Sequence, residues 1–357
     1  MAFLEPGTEP VHCDSLIDFI RYAVMAPSGH NTQPWTFAVG HSEILIQPDS
    51  KRRLPVVDPD DHALFMSLGC ALENLVIAAE TAGAQATPEY FPDDAEPGTI
   101  RVQLTEPGPT REDSRDPDPA RLFAAIPVRQ STRRGYDGRP FSPAAIAGLE
   151  AAAAEPLVFT QIITDRNAVE IVANHAEAAC QAQFRDPAFV AELMHWIRFS
   201  RKEAETFRDG LAARTMGLPP VPRWLGLWLM RLATGPKREA TRTANQLRSA
   251  SALMVFSVTA DTPEAWVRAG RSFERSALWA TAEGMKHAHA NMPCEAPHVR
   301  ERLRQALGLP GRPVLLIRLG YAEPMPPAYR RPLEAVIRQP GAESPPHPTA
   351  SASDAAR

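Results

Sequence analysis

Residues 26–35 read APSGHNTQPW and join a predicted helix to a predicted strand. Apolar residues recur at helical spacing over 16–24, and Pro27 ends that pattern just inside the segment. The segment is rich in small and hydrogen-bonding residues. Its backbone N–H groups and the side chains of Ser28 and Asn31 suit a planar ring with a polar edge. Composition alone favours a plainer alternative, a helix-ending loop with an Asx turn.

Helix and strand patterns are mixed along the chain without strict alternation. Strands are predicted at 35–39, 43–47, 86–91, 99–104, 157–163, 253–259 and 314–319. Long helices are predicted at 60–82, 165–182, 187–207 and 262–289. Pro88 restricts the third strand to a sheet edge. No GxGxxG follows a strand and no GxxxxGK[ST] is present, so the pattern predicts a three-layer α+β protein.

The bulk composition excludes several classes of protein. A formal net charge of -4 argues against non-specific nucleic-acid binding. The 4 cysteines lie far apart without a CxxC pair, which predicts a reducing cytoplasm rather than disulfides. The histidines and the cysteine within 287–298 fit no tetrahedral zinc spacing, so no metal is expected. The most apolar run, 224–230, is too short to span a bilayer, and no membrane partner is expected.

A second distinctive segment, RQSTRR, covers residues 129–134. Three guanidinium groups and two hydroxyl groups lie close together in it. Arginine forks bind phosphate oxygens bidentately and hydroxyl groups add neutral donors, so the segment suits a phosphate. Taken alone, such a run is more often a solvated basic turn.

Both segments resemble signatures of one family, the FMN-dependent nitroreductases. Residues 26–35 match the APSxxNxQPW signature at every specified position, and 129–134 match the R-x-S-x-[RK] motif. The resemblance implies a nitroreductase-like fold and an FMN cofactor. The ring contacts that it implies are Pro27, Ser28, Gly29 and Asn31. The phosphate ligands that it implies are Arg129, Ser131 and Arg133.

Two further segments are similar to parts of the same family. An apolar strand ending in Gly-Tyr, within 313–322, precedes Arg330, which takes the place of an additional phosphate-binding arginine. Glu283 and Gly284 resemble a helix-end step whose backbone N–H faces flavin N5, the atom that accepts hydride. Taken alone, a Glu-Gly step is an ordinary helix C-cap.

The distribution of these motifs predicts an internally duplicated chain. The first half carries the APS loop but no R-x-S-x-[RK] in its opening helix. The second half carries the arginine motif but reads AAAAEPLV at 151–158, where its own APS loop should be. A fused pseudo-dimer that keeps one of two equivalent FMN sites accounts for both, and it resembles the Acg-like twin-domain branch. We therefore expect one FMN per chain and a monomer sufficient for the site, with further dimerisation left open.

The expected domains are a first half over 1–118, a second half over 119–338 and a disordered tail over 339–357. The proline-rich stretch at 106–120 is the predicted linker. Within the second half, 208–246 is the expected lid over the flavin, in which Trp224 and Trp228 either cover the ring or pack on the core.

The resemblance implies an oxidoreductase in which FMN takes hydride at N5 from NAD(P)H and passes electrons to a small-molecule acceptor, such as a nitroaromatic or a quinone. The flavin carries the chemistry in such enzymes, so no catalytic side chain is expected. The alternative is a flavin-sequestering or storage protein of the stress response, in which the lid leaves little or no turnover.

Overall fold

The computed structural model describes residues 15–106, 119–233 and 235–338. The first range contains α1 (Leu16–Ala23), β1 (Trp35–Val39), β2 (Glu43–Pro48), α2 (His62–Thr81), β3 (Gln85–Tyr90) and β4 (Ile100–Thr105). The other ranges contain α3 (Pro119–Ala125), α4 (Pro143–Ala153), β5 (Val158–Ile163), α5 (Arg166–Gln183), α6 (Pro187–Trp196), β6 (Ile197–Arg198), α7 (Arg201–Phe207), β7 (Leu211–Ala212), α8 (Arg223–Ala233), α9 (Pro236–Arg248), β8 (Ala252–Val258), α10 (Pro263–Ala282), β9 (Lys286–His289), α11 (Met292–Glu295), α12 (Pro297–Leu307) and β10 (Arg312–Gly320). The predicted tail lies outside the described residues, as does nearly all of the predicted linker.

The first sheet is antiparallel throughout and has the order β1-β2-β4-β3. Side chains alternate along its strands, so that Phe37, Ile44 and Val102 point to one buried face. These side chains pack in the same core cluster as α2. The edge position of β3 confirms the prediction from Pro88, because a missing N–H is tolerated at an edge.

The second sheet is also antiparallel and has the order β5-β8-β10-β9. Every residue of β8 is buried, because helices cover both faces of this sheet. Met254 and Phe256 point into the core that α10 shares with α2, whereas Leu253 and Val255 pack with α5 and α9. The second half is therefore three-layered, and the predicted α+β class is confirmed.

The two sheets repeat one topology. In each, the strand that is fourth in the chain lies between the second and the third, and a 20-residue helix follows the second strand. An offset of 201 residues, from His62 to Pro263, maps α2 onto α10. The second half differs by a long insertion, α5 to α9, between its first and second strands. The fold is thus an internally duplicated, fused pseudo-dimer.

The two central helices, α2 and α10, cross at a glycine of each. A Cβ atom on Gly69 would overlap the carbonyl oxygen of Val267, and one on Gly270 would overlap that of Met66. The same offset maps Met66 onto Val267 and Gly69 onto Gly270, so the crossing is itself pseudo-symmetric. Glycine at both positions lets the helix backbones touch at the centre of the molecule.

The end of the second half adds a short strand-like segment to the first sheet. Phe37 N donates to Val336 O over 2.7 Å, and Arg338 N donates to Phe37 O over 2.7 Å. The bridge between Phe37 and Ile337 is parallel. This segment covers the free edge of β1 and ties the halves together by main-chain hydrogen bonds.

The helix predicted over 262–289 was too long. It ends at Ala282 because Gly284 takes a left-handed conformation, with φ at 73°, that stops the helix. The strand β9 then follows. His287 and His289 therefore lie on a strand, with their ring centroids 6.5 Å apart.

Two other predictions about the insertion also need correction. The helix predicted over 187–207 is divided into α6 and α7 by β6, because Ser200 and Glu203 form a capping box that starts a new helix. The segment 208–246, in which no long helix was predicted, contains α8 and most of α9.

Candidate functional site

The loop over 26–35 has an unusual backbone conformation. His30, Asn31 and Gln33 have positive φ values of 46°, 56° and 52°. Residues with a Cβ atom adopt this left-handed region rarely, and only where their surroundings fix it. Ser28 Oγ accepts a hydrogen bond from Gln33 N over 2.9 Å. Strained loops that are fixed in this way are concentrated at functional sites.

The second half holds this loop in place. Asn31 Nδ2 donates to Gly210 O over 3.0 Å and to Tyr329 O over 3.2 Å. Gln33 Oε1 accepts from Arg331 N over 2.7 Å. The backbone of Asn31 is also engaged, because its N–H donates to Ser28 and its carbonyl accepts from Gly210. Asn31 therefore positions the loop, and its contact with a ring stays a prediction.

Two arginines of the second half close on the start of the loop. Arg129 Nη2 and Arg330 Nη2 donate to the same acceptor, Met25 O, over 3.1 and 2.9 Å. Arg330 Nη1 also donates to Asn31 Oδ1 over 3.1 Å. Arg129 Nε lies 3.0 Å from Glu274 Oε1, and these side chains are 2% and 0% exposed. The predicted phosphate arginines are therefore adjacent to the predicted ring loop.

Arg129 and Arg330 together have more hydrogen-bond donors than the protein provides acceptors for, and more positive charge than it neutralises. Nη1 of Arg129 and Nε of Arg330 are buried, yet they make no hydrogen bond within the described residues, and Nε of Arg129 has only its ion pair with Glu274. Burial, together with the charge of Arg129, lowers the pKa of Arg330 to about 9. An unsatisfied buried donor costs roughly 1–3 kcal/mol. The group therefore suits an anion with several acceptor oxygens, such as a phosphate.

A cavity of about 300 Å³ lies between the halves, beside the loop. The first half lines it with Pro27, Ser28, Gly29, His30 and residues of α2 including Met66 and Cys70. The second half lines it with Arg133, Phe273, His289, Asn291 and residues of α5 and α6. This volume is at the small end of the range for small-molecule sites, roughly 300–1,000 Å³.

The polar lining of the cavity includes two neutral histidines and a cation, beside other polar side chains, among them Asp58 and Glu295. Burial, with the charge of Arg133, lowers the pKa of His30 to about 4. Burial and the charges of Arg133 and Arg129 lower the pKa of His289 to about 3. Arg133 Nη1 donates to Thr215 O over 3.1 Å, which holds the guanidinium in place. At neutral pH this arrangement suits an uncharged planar ligand with hydrogen-bond acceptors on one edge.

The cavity is covered by residues that the sequence did not single out. Phe184, at the end of α5, and Phe189 and Leu193, on α6, line it. Phe189 packs in one apolar cluster with Leu54 and Val57 of the first half. The insertion could have indicated this cover, because the segment from α5 to α9 has no counterpart between β1 and β2 of the first half.

The predicted lid over 208–246 needs correction. Its first residues touch the site from the side, where Gly210 bonds to the loop, and Leu211 lines the cavity. Trp224 and Trp228 neither cover a ring nor pack on the core, since they are 72% and 56% exposed. The cover over the cavity comes from the preceding part of the insertion.

Most of the predicted site residues lie together. Those that line the cavity are Pro27, Ser28, Gly29 and Arg133. Those that form the adjoining polar network are Asn31, Arg129 and Arg330. Ser131 is half-buried and forms a bridge with His287 of β9. Glu274, at the centre of the network, was missed because one glutamate within a helix carries no sequence signal of its own.

The structure contradicts the assignment of Glu283 and Gly284 to flavin N5. Both residues lie at the end of α10, and their N–H groups donate to Trp279 O over 3.1 Å and to Thr281 O over 3.0 Å. Neither residue lines the cavity. The step is the helix C-cap that the plainer alternative described.

The pseudo-symmetry of α2 and α10 relates the arginine group to a second position, and side chains of the protein fill that position. The offset maps Glu73 onto Glu274, and Glu73 pairs with Arg271 Nε over 2.8 Å and with Arg275 Nη2 over 2.5 Å. Arg271 Nη1 also donates to the hydroxyl of Tyr90 over 2.8 Å. Burial alone would raise the pKa of Glu73, but Arg275 and Arg271 outweigh it and the pKa lies below its usual value. These cations already have acceptors, so this position does not call for an anionic ligand.

Sequence similarity to named proteins identifies the family. No protein-family model matches the chain. The chain is 30% identical over 332 residues to “Putative NAD(P)H nitroreductase Rv3131” of Mycobacterium tuberculosis, covering 90% of each protein. The chain belongs to the nitroreductase family. This nitroreductase is also 23% identical over 338 residues to “Putative NAD(P)H nitroreductase acg” of the same organism, over 92% of this chain and 96% of that one. It falls in the Acg-like branch.

Solved structures that resemble this nitroreductase are more distant. A nitroreductase with bound FMN from Desulfitobacterium hafniense is 15% identical and covers 60% of this chain and 95% of its own, with a TM-score of 0.38. The NADPH:FMN oxidoreductase of Vibrio harveyi, complexed with NAD+, is 13% identical and covers 63% and 80%, also with a TM-score of 0.38. At these values the likeness carries no argument about the site.

Glu274 gives this nitroreductase a testable pH dependence. Burial raises the pKa of Glu274 from 4.5 to about 7, although Arg129 and Arg330 oppose the rise. Between these two pH values the native state holds a proton that the unfolded state has released. Glu274 therefore lowers the free energy of unfolding as the pH rises through this window, whereas His30 and His289, whose pKa values are lowered in the native state, raise it. The difference between the two pKa values corresponds to roughly 3 kcal/mol.

Urea unfolding of the FMN-free protein at about pH 5 and about pH 7.5 measures this effect. We expect the unfolding free energy of Glu274→Gln to rise more, or fall less, between these pH values than that of the wild type, because glutamine has no proton to release. Glu73→Gln is the matched control and keeps the wild-type pH dependence, because the pKa of Glu73 is lowered out of this window. Equal pH dependence of the wild type and Glu274→Gln would show that Glu274 titrates normally.

Proposed function

We propose that this chain is an FMN-dependent NAD(P)H oxidoreductase that binds one FMN between its two halves. One observation carries the proposal: buried arginines without enough acceptors adjoin a cavity that is lined by the strained loop of the opposite half. Neither half has both parts, which is the arrangement that the fused pseudo-dimer predicts.

The residues fit FMN in both of its chemical parts. The phosphate group supplies negative charge and acceptor oxygens for Arg129 and Arg330, and the Ser131 hydroxyl adds a neutral donor. The planar ring system suits the cavity beside Pro27. Arg133 lines that cavity, so we assign it to the polar edge of the ring and not to the phosphate, as the family motif had implied.

The filled position on the other side supports a single FMN per chain. There Glu73 already neutralises Arg271 and Arg275. The segment at 151–158 replaces the loop that would line a second cavity. A second anion would have to break buried ion pairs, and breaking one typically costs about 3–5 kcal/mol.

FMN, when bound, supplies hydride transfer at N5. The residues of the chain position it and shield it. Arg133 puts a positive charge at the ring cavity, which favours negative charge on the ring. Phe189 and Leu193 exclude water from above. We assign no acid or base to any side chain.

We assign NAD(P)H as the donor because relatives at 30% and 23% identity carry that donor in their names. The acceptor is a small planar molecule of the nitroaromatic or quinone class. A cavity of about 300 Å³ does not hold a flavin ring and a second ring together, so α6 must move for turnover. That cover favours a second candidate, a protein that sequesters FMN without turnover.

Anaerobic stopped-flow mixing separates the two candidates. Oxidised holo-protein is mixed with NADH or NADPH, and the visible absorbance of the flavin is followed. We expect bleaching within seconds to minutes, with one nicotinamide preferred. Phe189→Ala, which thins the cover, should speed the bleaching, whereas Phe159→Ala, at an exposed position on β5, should not.

The sequestering candidate predicts a different pattern. In that case dithionite bleaches the flavin, but neither nicotinamide does so in the wild type or in Phe189→Ala. This result would overturn the reductase and leave FMN binding intact.

A further inference from the structure

The helix α8 exposes large apolar side chains. Of residues 223–232, only Gly226 is buried. Trp224 is 72% exposed, Trp228 56% and Leu232 68%. A surface groove of about 520 Å³ runs along this helix. Exposed apolar patches of this kind mark contact with another partner.

The exposed residues share one face of the helix. Trp224, Trp228 and Leu232 follow one another at intervals of four residues, and Leu225 and Leu229 lie beside them. A surface helix of a soluble protein normally turns its apolar side inward and its charged side outward. On α8, by contrast, large apolar side chains face outward.

The inward side of α8 is fixed to the protein at a close contact. A Cβ atom on Gly226 would overlap the ring of Phe199, so the helix lies directly on that ring. Arg223, in the first turn, donates to Ile197 O over 3.2 Å and lies 3.4 Å from Glu203 Oε1. The helix is thus held with its tryptophans outward. It does not cover the cavity between the halves, whose lining includes no residue of α8.

The surroundings of this face are basic. Residues 210–238 contain five arginines or lysines and no aspartate or glutamate, although the whole protein has a net charge of -4. Arg231 lines the groove along α8 and is exposed, and Lys237, six residues further along the chain on α9, is also exposed. The stretch of chain that carries the exposed apolar side chains is therefore positively charged, although Glu203 of α7 pairs with Arg223.

We propose that α8 is an interfacial helix that docks this protein on an anionic lipid bilayer. A helix that lies in the interface needs tryptophan and leucine on one face and cations at its edges, and it does not need the length of a spanning helix. Tryptophan rings favour the headgroup level, and nearby lysines and arginines add attraction to anionic lipid. The sequence-based expectation of no membrane partner considered only spanning segments. The inference does not depend on the proposed redox function.

Vesicle flotation with the intact holo-protein tests this inference. The probes are vesicles of phosphatidylglycerol and phosphatidylcholine in equal parts, and vesicles of phosphatidylcholine alone. We expect the protein to float with the anionic vesicles, with weaker binding to the neutral ones and at high salt. Replacing Arg231 and Lys237 by glutamine should weaken binding by about fivefold for each charge.

The decisive variant is Trp224→Ala combined with Trp228→Ala. Both side chains are largely exposed, so the variant should keep its flavin absorbance and lose vesicle binding by roughly tenfold or more. Phe159→Ala removes an exposed aromatic ring elsewhere and should bind vesicles like the wild type. Absence of flotation, or equal flotation of the tryptophan variant, would overturn the proposal. A wild-type dimer that dissociates in the tryptophan variant, without vesicle binding, would assign the face to a second copy of the chain.

Discussion

Replacing Arg129 by glutamine is expected to lower FMN affinity by about 100-fold or more, because it removes charge-assisted hydrogen bonds to the phosphate. Fluorescence titration of the FMN-free protein with FMN measures this effect. Riboflavin, which lacks the phosphate, should bind the wild type and Arg129→Gln equally. The loss should therefore be specific for the phosphate and not for the ring.

Two controls protect this prediction from a general loss of structure. Arg275→Gln removes a buried arginine from the filled position, where it pairs with Glu73, and should leave FMN affinity nearly unchanged. Arg129→Gln combined with Glu274→Gln avoids leaving a buried carboxylate without its partner and should still bind FMN weakly. Full FMN affinity in a folded Arg129→Gln protein would mean that the phosphate lies elsewhere.

Replacing Gly270 by alanine is expected to destabilise the whole chain by about 3 kcal/mol. The new Cβ atom would overlap the carbonyl oxygen of Met66 in the facing helix, and a backbone atom cannot move aside as a flexible side chain can. Gly69→Ala should have a similar effect, because it meets Val267 in the same way. The measurement is the urea midpoint, with the flavin and the backbone signals followed together.

The control for the helix crossing is Gly135→Ala. The nearest atom to a new Cβ atom there is Ser249 Oγ at 3.9 Å, which is ordinary contact. We expect its unfolding free energy to stay within about 1 kcal/mol of the wild type. An equally small change in the unfolding free energy of Gly270→Ala would show that α2 and α10 can move apart without loss of stability. The backbone contact between the two helices would then not be what joins the halves.

The sequence predicted the complementary halves because their signals are local. The loop over 26–35 and the segment over 129–134 each fit in a few residues, and their chemistry is visible without a fold. The topology followed less directly, since the correspondence of α2 with α10 became clear only from the strand orders. Pro27 and Arg133, which were predicted from these segments, both line the cavity between the halves.

The errors have physical reasons of two kinds. The Glu283-Gly284 step was given a binding role because a helix C-cap and an N–H donor site use the same residues, and only the hydrogen bonds distinguish them. The cover and Glu274 depend on tertiary placement, which periodicity does not give. Trp224 and Trp228 were expected to face inward, as apolar residues usually do, and α8 instead holds them outward.

The central claim is that a single site between the halves binds one FMN and that its affinity depends on the phosphate group. Calorimetric titration of the FMN-free full chain, with FMN and separately with riboflavin, tests it most directly. We predict one site per chain for FMN and riboflavin binding weaker by about two orders of magnitude. Two FMN sites per chain, or equal affinities for FMN and riboflavin, would contradict the account.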